Sequence, residues 1–154
     1  MSRFVIVLSA VPAIQLAKLA GFDPIITTAS LKNTQALVKQ GATHVVDRSL
    51  PQDALVAEVQ KITNKPIKVA FDSISSHETQ NVSYKLLGPG GALLVDEQEE
   101  VENVAADKRI VRVFANANLP ATREVVASLF PKLTALLEEG AIKVSALVHL
   151  RSTC

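Results

Sequence analysis

The residues of this sequence that are placed to bind a ligand share one feature, because each closely follows a short apolar run. They are Ser9, Ala10, Ser30, Lys32, Asn33, Arg48, Asp72 and Ser73. Hydroxyl and basic side chains bind phosphate, and a carboxylate accepts hydrogen bonds from ligand hydroxyls. The set therefore indicates binding chemistry, and we assign no catalytic residue.

Other kinds of chemistry lack the residues that they need. The three histidines, His44, His77 and His149, have no carboxylate or cysteine at metal-ligand spacing, so we expect no metal site. Cys154 is the only cysteine, which excludes an intramolecular disulfide and a C-x-x-C site. The sequence contains no G-x-S-x-G string, so a serine nucleophile of that class is not predicted.

The composition is typical of one compact domain. The chain has 154 residues, of which 48% are hydrophobic and 20% are charged, and this length predicts a single domain over 1–154. A formal net charge of +1 gives no strong field to attract nucleic acid or anionic lipid. We therefore expect neither a nucleic-acid partner nor membrane association.

The amino terminus allows two interpretations. Arg3 and the apolar residues of MSRFVIVLSAVPAI have the outline of a secretory signal peptide. Against this, the apolar run continues directly into an amphipathic segment, and no window approaches the roughly 18 apolar residues that span a bilayer. We expect a cytoplasmic protein, with secretion as the minor alternative.

The elements that must position the candidate residues alternate between strand and helix. Apolar and β-branched runs predict strands at 4–8, 24–28, 44–46, 67–71, 92–95, 110–115 and 141–150. Helical spacing predicts helices at 12–20, 30–40, 52–63, 77–87 and 120–139. The glycines of 88–91 predict a turn, and the acidic stretch 96–102 predicts a solvated loop.

This alternation predicts an α/β fold with a doubly wound parallel sheet. In such sheets, ligands bind outside the carboxyl ends of the strands, at the point where the strand order reverses. We expect that point near the first and fourth strands, which places Ser9, Ala10, Ser30, Asp72 and Ser73 at the site.

Several stretches together resemble the cofactor domain of the medium-chain dehydrogenase/reductase superfamily. They are AIQLAKLAGF, PIITTAS, KN, LVKQGATHVVD, VAFDSIS and LLGPGGALL. The resemblance runs from Phe4 to Leu150 and is to the zinc-independent branch, which includes quinone oxidoreductases and fungal trans-enoyl reductases. It implies a Rossmann-like fold and a nicotinamide dinucleotide, with hydride transfer to an enone or enoyl substrate in complete members.

Three candidates follow the second strand, where an Asp or Glu would bind the ribose of NAD. The sequence has Ser30, Lys32 and Asn33 there, which favours the phosphate of NADP. The alternative is that Ser30 caps a helix and that Lys32 is a solvated charge.

The resemblance also implies roles at the ends of the third and fourth strands. Arg48 would touch the adenosine end of the cofactor, and Asp72 with Ser73 would lie beside the nicotinamide ribose. The alternatives are an unpaired surface arginine and an Asp-Ser pair that caps its own loop.

Two departures from the family affect these expectations. The family has a glycine-rich turn after the first strand, whereas VIVLSAVPAIQLAK has no glycine and is shorter. Pro12 removes one N–H donor, so we expect a weakened pyrophosphate site, and loss of cofactor binding is the alternative. Complete members also carry a barrel-like, GroES-type catalytic domain, and no segment of 1–154 is predicted to form one.

Two functional hypotheses follow. The first is a reductase-derived NADP(H)-binding module with weak or no catalysis by itself. The second is a non-enzymatic protein of the same fold that acts through another protein. In either case, apolar residues of the predicted edge strand 141–150 favour a homo-oligomer, for which we expect a homodimer.

Overall fold

The computed structural model describes residues 5–8, 11–101, 103–113, 116 and 119–143. The chain divides into two compact units, Met1–Phe114 and Ala115–Cys154. The strands are β1 (Val5–Leu8), β2 (Ile25–Ala29), β3 (His44–Asp47), β4 (Ile67–Asp72), β5 (Leu87–Val95) and β6 (Arg109–Arg112). The helices are α1 (Val11–Leu19), α2 (Thr34–Gln40), α3 (Gln52–Ile62), α4 (His77–Leu86) and α5 (Pro120–Glu138), with a 3-10 helix at Leu31–Asn33.

The first unit contains a six-stranded sheet in the order β3-β2-β1-β4-β5-β6. Every neighbouring pair is parallel. A helix follows each of the strands β1 to β4, as expected for parallel crossovers, whereas the described residues between β5 and β6 contain no helix. The prediction of a doubly wound, Rossmann-like parallel sheet is confirmed. That residues 1–154 act as one nucleotide-binding domain stays a prediction.

Two apolar clusters cover the two faces of this sheet. Side chains alternate along β2, so neighbouring residues belong to different clusters. Ile25 packs in a cluster with Ile14 of α1 and Leu37 of α2. Ile26 packs in the other cluster, with Val59 of α3. Because both faces are covered, β2 is buried along its whole length.

β5 differs from the sequence prediction at its amino end. The predicted turn at 88–91 is part of the strand, which begins at Leu87 rather than Ala92. The register explains this, because Ile67 pairs with Leu87 while Val69 already pairs with Ala92. The intervening residues of β5 form an irregularity in the ladder.

The second unit contains α5, which starts at Pro120, close to the predicted 120–139. Gly140 follows the helix with a φ of 69°, and its N–H donates to the Leu137 carbonyl at 3.1 Å, as glycine often does where a helix ends. Most of the predicted strand 141–150 lies outside the described residues. No helix in the described part of the chain is both long and apolar enough to cross a membrane.

Candidate functional site

The strand order reverses at β1, which lies between β2 and β4. Leu8, the last residue of β1, pairs with Asp72, the last residue of β4. α1 starts only two residues after β1, and Pro12 is its second residue, so one N–H of the first helical turn is missing. The candidates Ser9 and Ala10 lie outside the described residues.

Asp72 is fully buried at this reversal. Its Oδ1 accepts hydrogen bonds from the N–H groups of Ile74 and Ser75, each at 3.0 Å. This oxygen caps the loop after β4, which was one alternative for this residue. Oδ2 is shielded from solvent and has no hydrogen-bond partner among the described residues. A buried acceptor without a donor costs about 1–3 kcal/mol, so this oxygen would gain from a donor brought by a ligand.

Ser75 connects the ends of β4 and β5. Its Oγ lies 2.6 Å from Asp96 Oδ1 and 2.9 Å from the Asp72 carbonyl. One hydroxyl has one proton, and the shorter distance favours donation to Asp96. In return, Asp96 N–H donates to Ser75 Oγ at 3.2 Å. Ser73, the neighbouring candidate, directly follows β4 and is half-buried.

Gln80 on α4 holds the same loop from the other side. Its fully buried amide donates from Nε2 to the carbonyls of Ser75 at 3.0 Å and Gln98 at 2.8 Å. Its Oε1 accepts from Glu100 N–H at 2.9 Å. The predicted solvated loop after β5 is therefore exposed over 96–100 but anchored to α4 through its backbone.

Sequence reasoning missed Ser75, Gln80 and Asp96 as members of this site. Asp96 could have been found, because it directly follows β5 as Asp72 ends β4. Gln80 gives no such signal, since nothing in a helical pattern distinguishes a buried amide from a surface one.

The remaining candidates lie together at the carboxyl ends of β2 and β3. Ala29 pairs with Asp47, and Arg48 N–H donates to the Ala29 carbonyl at 3.1 Å. The structure therefore brings the Arg48 backbone next to the end of β2, where Ser30 leads into the 3-10 helix.

The side chains of this second group are more open than those after β4. Ser30 is half-buried and makes no side-chain cap hydrogen bond to the 3-10 helix. Lys32, Asn33 and Arg48 are exposed. Asp47, which directly precedes Arg48 in the sequence, brings a carboxylate next to this group.

Asp47 contributes a negative charge to the corner of the sheet that is formed by the carboxyl ends of β2 and β3. Its Oδ1 accepts from the N–H of Ser49 at 2.9 Å and from the Ser49 hydroxyl at 2.8 Å. Chiefly through these hydrogen bonds, and with a smaller contribution from Arg48, the pKa of Asp47 lies below its ordinary value. The corner thus combines two basic side chains with one ionised acid.

One surface cavity among the described residues does not coincide with these candidates. It has a volume of about 580 Å³ and is lined by parts of the segments 59–67 and 85–89, at the amino ends of β4 and β5. Ligands of doubly wound sheets bind at the opposite, carboxyl edge, so we assign the candidate site to that edge. No cluster of three or more His, Cys, Asp or Glu in the described ranges could hold a metal ion.

Comparison with known proteins places this geometry in context. Residues 11–96 match the zinc-binding dehydrogenase family. The chain is 35% identical over 100 residues to a trans-enoyl reductase of Hapsidospora irregularis, covering 65% of this chain and 25% of that protein. It is 36% identical over 100 residues to one of Chaetomium globosum, covering 65% and 26%.

Solved structures share the fold. A quinone oxidoreductase of Pseudomonas syringae superposes with a TM-score of 0.76 at 19% identity, covering 94% of this chain and 48% of that one. The Escherichia coli quinone oxidoreductase complexed with NADPH gives a TM-score of 0.70 at 21% identity, covering 93% and 48%. The chain thus spans about a quarter of the length of these curated relatives and about half of these structures.

Proposed function

The chain belongs to the zinc-binding dehydrogenase family and carries part of the cofactor-binding region of the medium-chain dehydrogenase/reductase superfamily, and we propose that it binds NADP(H). It is a reductase-type module with weak or no catalysis by itself. The observation that supports this most is Asp72 Oδ2, which lies buried where the strand order reverses and has no hydrogen-bond partner among the residues that the structure describes. A ribose hydroxyl would supply the missing donor.

The residues present fit the two ends of the dinucleotide in different ways. Asp72 and Ser73 would hold the nicotinamide ribose. Because Asp72 Oδ2 is shielded from solvent, the atoms that cover it must move before a ligand can reach it. Ser30, Lys32, Asn33 and Arg48 would hold the adenosine end. Two cations against one ionised acid, Asp47, leave a net positive charge there, which suits a phosphate.

The pyrophosphate fits less well. Ser9 and Ala10 would face it, but Pro12 reduces the N–H groups that the start of α1 can offer. We therefore expect weaker binding than a glycine-rich turn would give, with the ends of the cofactor contributing most of the affinity.

Catalysis needs more than these residues provide. When bound, NADPH supplies a hydride, and the substrate must be held close to it and away from water. Two cavities found among the described residues, one lined by Pro24 and 60–65 and the other by parts of 59–67 and 85–89, both lie away from the carboxyl ends of the strands. Because the relatives are named trans-enoyl reductases and quinone oxidoreductases, we propose an enoyl or quinone substrate for a complete reductase. This region would be the cofactor-binding part of that enzyme.

Calorimetric titration with NADPH and NADH at moderate salt tests the proposal. We expect micromolar binding of NADPH and a clear preference over NADH. Lys32→Ala should reduce that preference severalfold, while Lys39→Ala, which removes an equal charge from the exposed end of α2, should leave it unchanged. Absence of heat and of any thermal shift with millimolar cofactor would overturn the proposal.

A second function is favoured by one observation, the position of Pro12 in the first turn of α1. If the phosphate site has been lost, the fold would act through a protein partner instead.

We also propose a cytoplasmic location and a homodimer formed through 141–150. A monomer mass in light scattering at micromolar concentration would contradict the dimer.

A further inference from the structure

We propose that Ser75 and Asp96 form a latch that positions Asp72 and so sets the affinity for the nicotinamide half of the dinucleotide. The latch is the pair of hydrogen bonds that joins Ser75 Oγ to the carboxylate and the backbone N–H of Asp96. This inference rests on the proposed NADP(H) function. Ser75 and Asp96 are positioning residues, since they act through Asp72.

The hydrogen bonds link the position of Asp72, at the end of β4, to the end of the neighbouring strand β5. Ser75 N–H, together with Ile74 N–H, fixes Asp72 Oδ1. With Oδ1 held at two points, the direction of Oδ2 is determined by where the backbone of Ser75 lies. Asp96 determines that place, because it directly follows β5, the strand that pairs with β4.

The backbone of Ser75 shows that its place is imposed by the surroundings. Ser75 has a φ of 53°, in the left-handed region that residues other than glycine seldom adopt. Such a conformation persists where surrounding contacts over-determine it. Here the contacts are the two bonds to Asp96 and the bond from Gln80 Nε2 to the Ser75 carbonyl.

Burial distinguishes the two carboxylates of this arrangement. Asp72 is fully buried, whereas Asp96 is exposed at the carboxyl edge. A bond from a buried serine hydroxyl to an exposed carboxylate is open to competition from water, so it adds little to stability. Its larger effect is to restrict the loop that holds Asp72, which favours a ligand by preorganisation.

The test separates the two halves of the ligand. NADPH contains both halves, whereas adenosine 2′,5′-bisphosphate contains only the adenosine end. We expect Asp96→Ala and Ser75→Gly each to weaken NADPH binding by up to about tenfold, which is the effect of losing the hydrogen bond between the ligand and the Asp72 carboxylate. Binding of the bisphosphate should change less than twofold.

Two variants guard against simpler explanations. Ser75→Gly keeps both backbone N–H donors and relaxes the left-handed backbone, so its thermal midpoint should stay close to that of the wild type. Glu97→Ala removes the same charge as Asp96→Ala from an exposed neighbouring position, and it should change neither affinity.

Each other outcome has a distinct meaning. Equal weakening of both ligands by Asp96→Ala, or no weakening of NADPH, would overturn the latch while leaving the proposed function standing. Wild-type protein that binds the bisphosphate as tightly as NADPH would also overturn it, because the nicotinamide half would then contribute nothing. Wild-type protein that binds neither ligand would overturn both proposals.

Discussion

The two ends of the candidate site are built in contrasting ways. After β4 and β5, Asp72, Ser75 and Gln80 are buried and share a network of directed hydrogen bonds. After β2 and β3, Lys32 and Arg48 are exposed charges. On the proposed function, we expect the first region to select a ligand through directed hydrogen bonds. We expect the second to select by charge, which acts at longer range but is weakened by salt.

The largest effect is expected from breaking the buried network at its centre. Gln80→Leu leaves the carbonyls of Ser75 and Gln98 and the N–H of Glu100 without their partner. We expect a loss of about 2–4 kcal/mol in the free energy of unfolding, measured by urea denaturation. Asn81→Leu makes the same kind of change at the half-buried neighbouring position, where the amide donates to the carbonyls of His77 at 2.7 Å and Glu100 at 3.4 Å, both in exposed surroundings. It should cost about 1 kcal/mol or less. A Gln80→Leu variant as stable as the wild type would mean that the loop is not held through α4.

An intermediate effect is expected at Asp72. Asp72→Asn keeps an oxygen for the Ile74 and Ser75 N–H groups but replaces the free carboxylate oxygen by a donor. NADPH affinity should fall about tenfold, or about 1.4 kcal/mol, with a smaller change in stability. Because the site is buried, this factor should be the same at low and high salt, whereas the NADPH preference that depends on Lys32 should shrink as salt rises. A factor that falls with salt would contradict the contrast between the two ends.

The smallest effect concerns the exposed end. The pKa of Asp47 lies below its ordinary value chiefly because of Ser49, and Ser49→Ala should raise it toward that value in an NMR titration. A lowered folded-state pKa contributes stability above the unfolded pKa, and this contribution is lost as the pH falls through the folded pKa. The wild type should therefore lose slightly more stability than Ser49→Ala on acidification below about pH 4. The variant keeps the backbone N–H donor and loses only the hydroxyl, so an unchanged Asp47 titration would show that the hydroxyl hydrogen bond does not act in solution.

The same contrast explains what the sequence could predict. The strands and their parallel arrangement follow from apolar runs and from the rules for crossovers. Once the strands were assigned, the positions of Arg48 and Asp72 at the carboxyl edge followed, because each lies at or just after a strand end. A polar residue at a strand end can be recognised from the strand pattern alone, whether it is exposed like Arg48 or buried like Asp72.

The buried network could not be predicted in the same way. Gln80 contacts Gln98 and Glu100, which lie about twenty positions away along the chain, and no local pattern specifies that pairing. The left-handed backbone at Ser75 is equally hidden, since serine does not mark such a position as glycine would. The Gly88–Gly91 segment misled for a related reason, because its role as strand depends on the register with β4.

The register between β4 and β5 affects which insertions and deletions the protein can tolerate during evolution. Between the pairs Ile67–Leu87 and Val69–Ala92, β5 carries more residues than β4, so the surplus is taken up before Ala92. An insertion or deletion among residues 88–91 alters this irregular segment while the pairing from Ala92 to Val95 is retained. The opposite edge, with Asp96, is thereby insulated from such length variation, and the two ends of one strand can diverge independently.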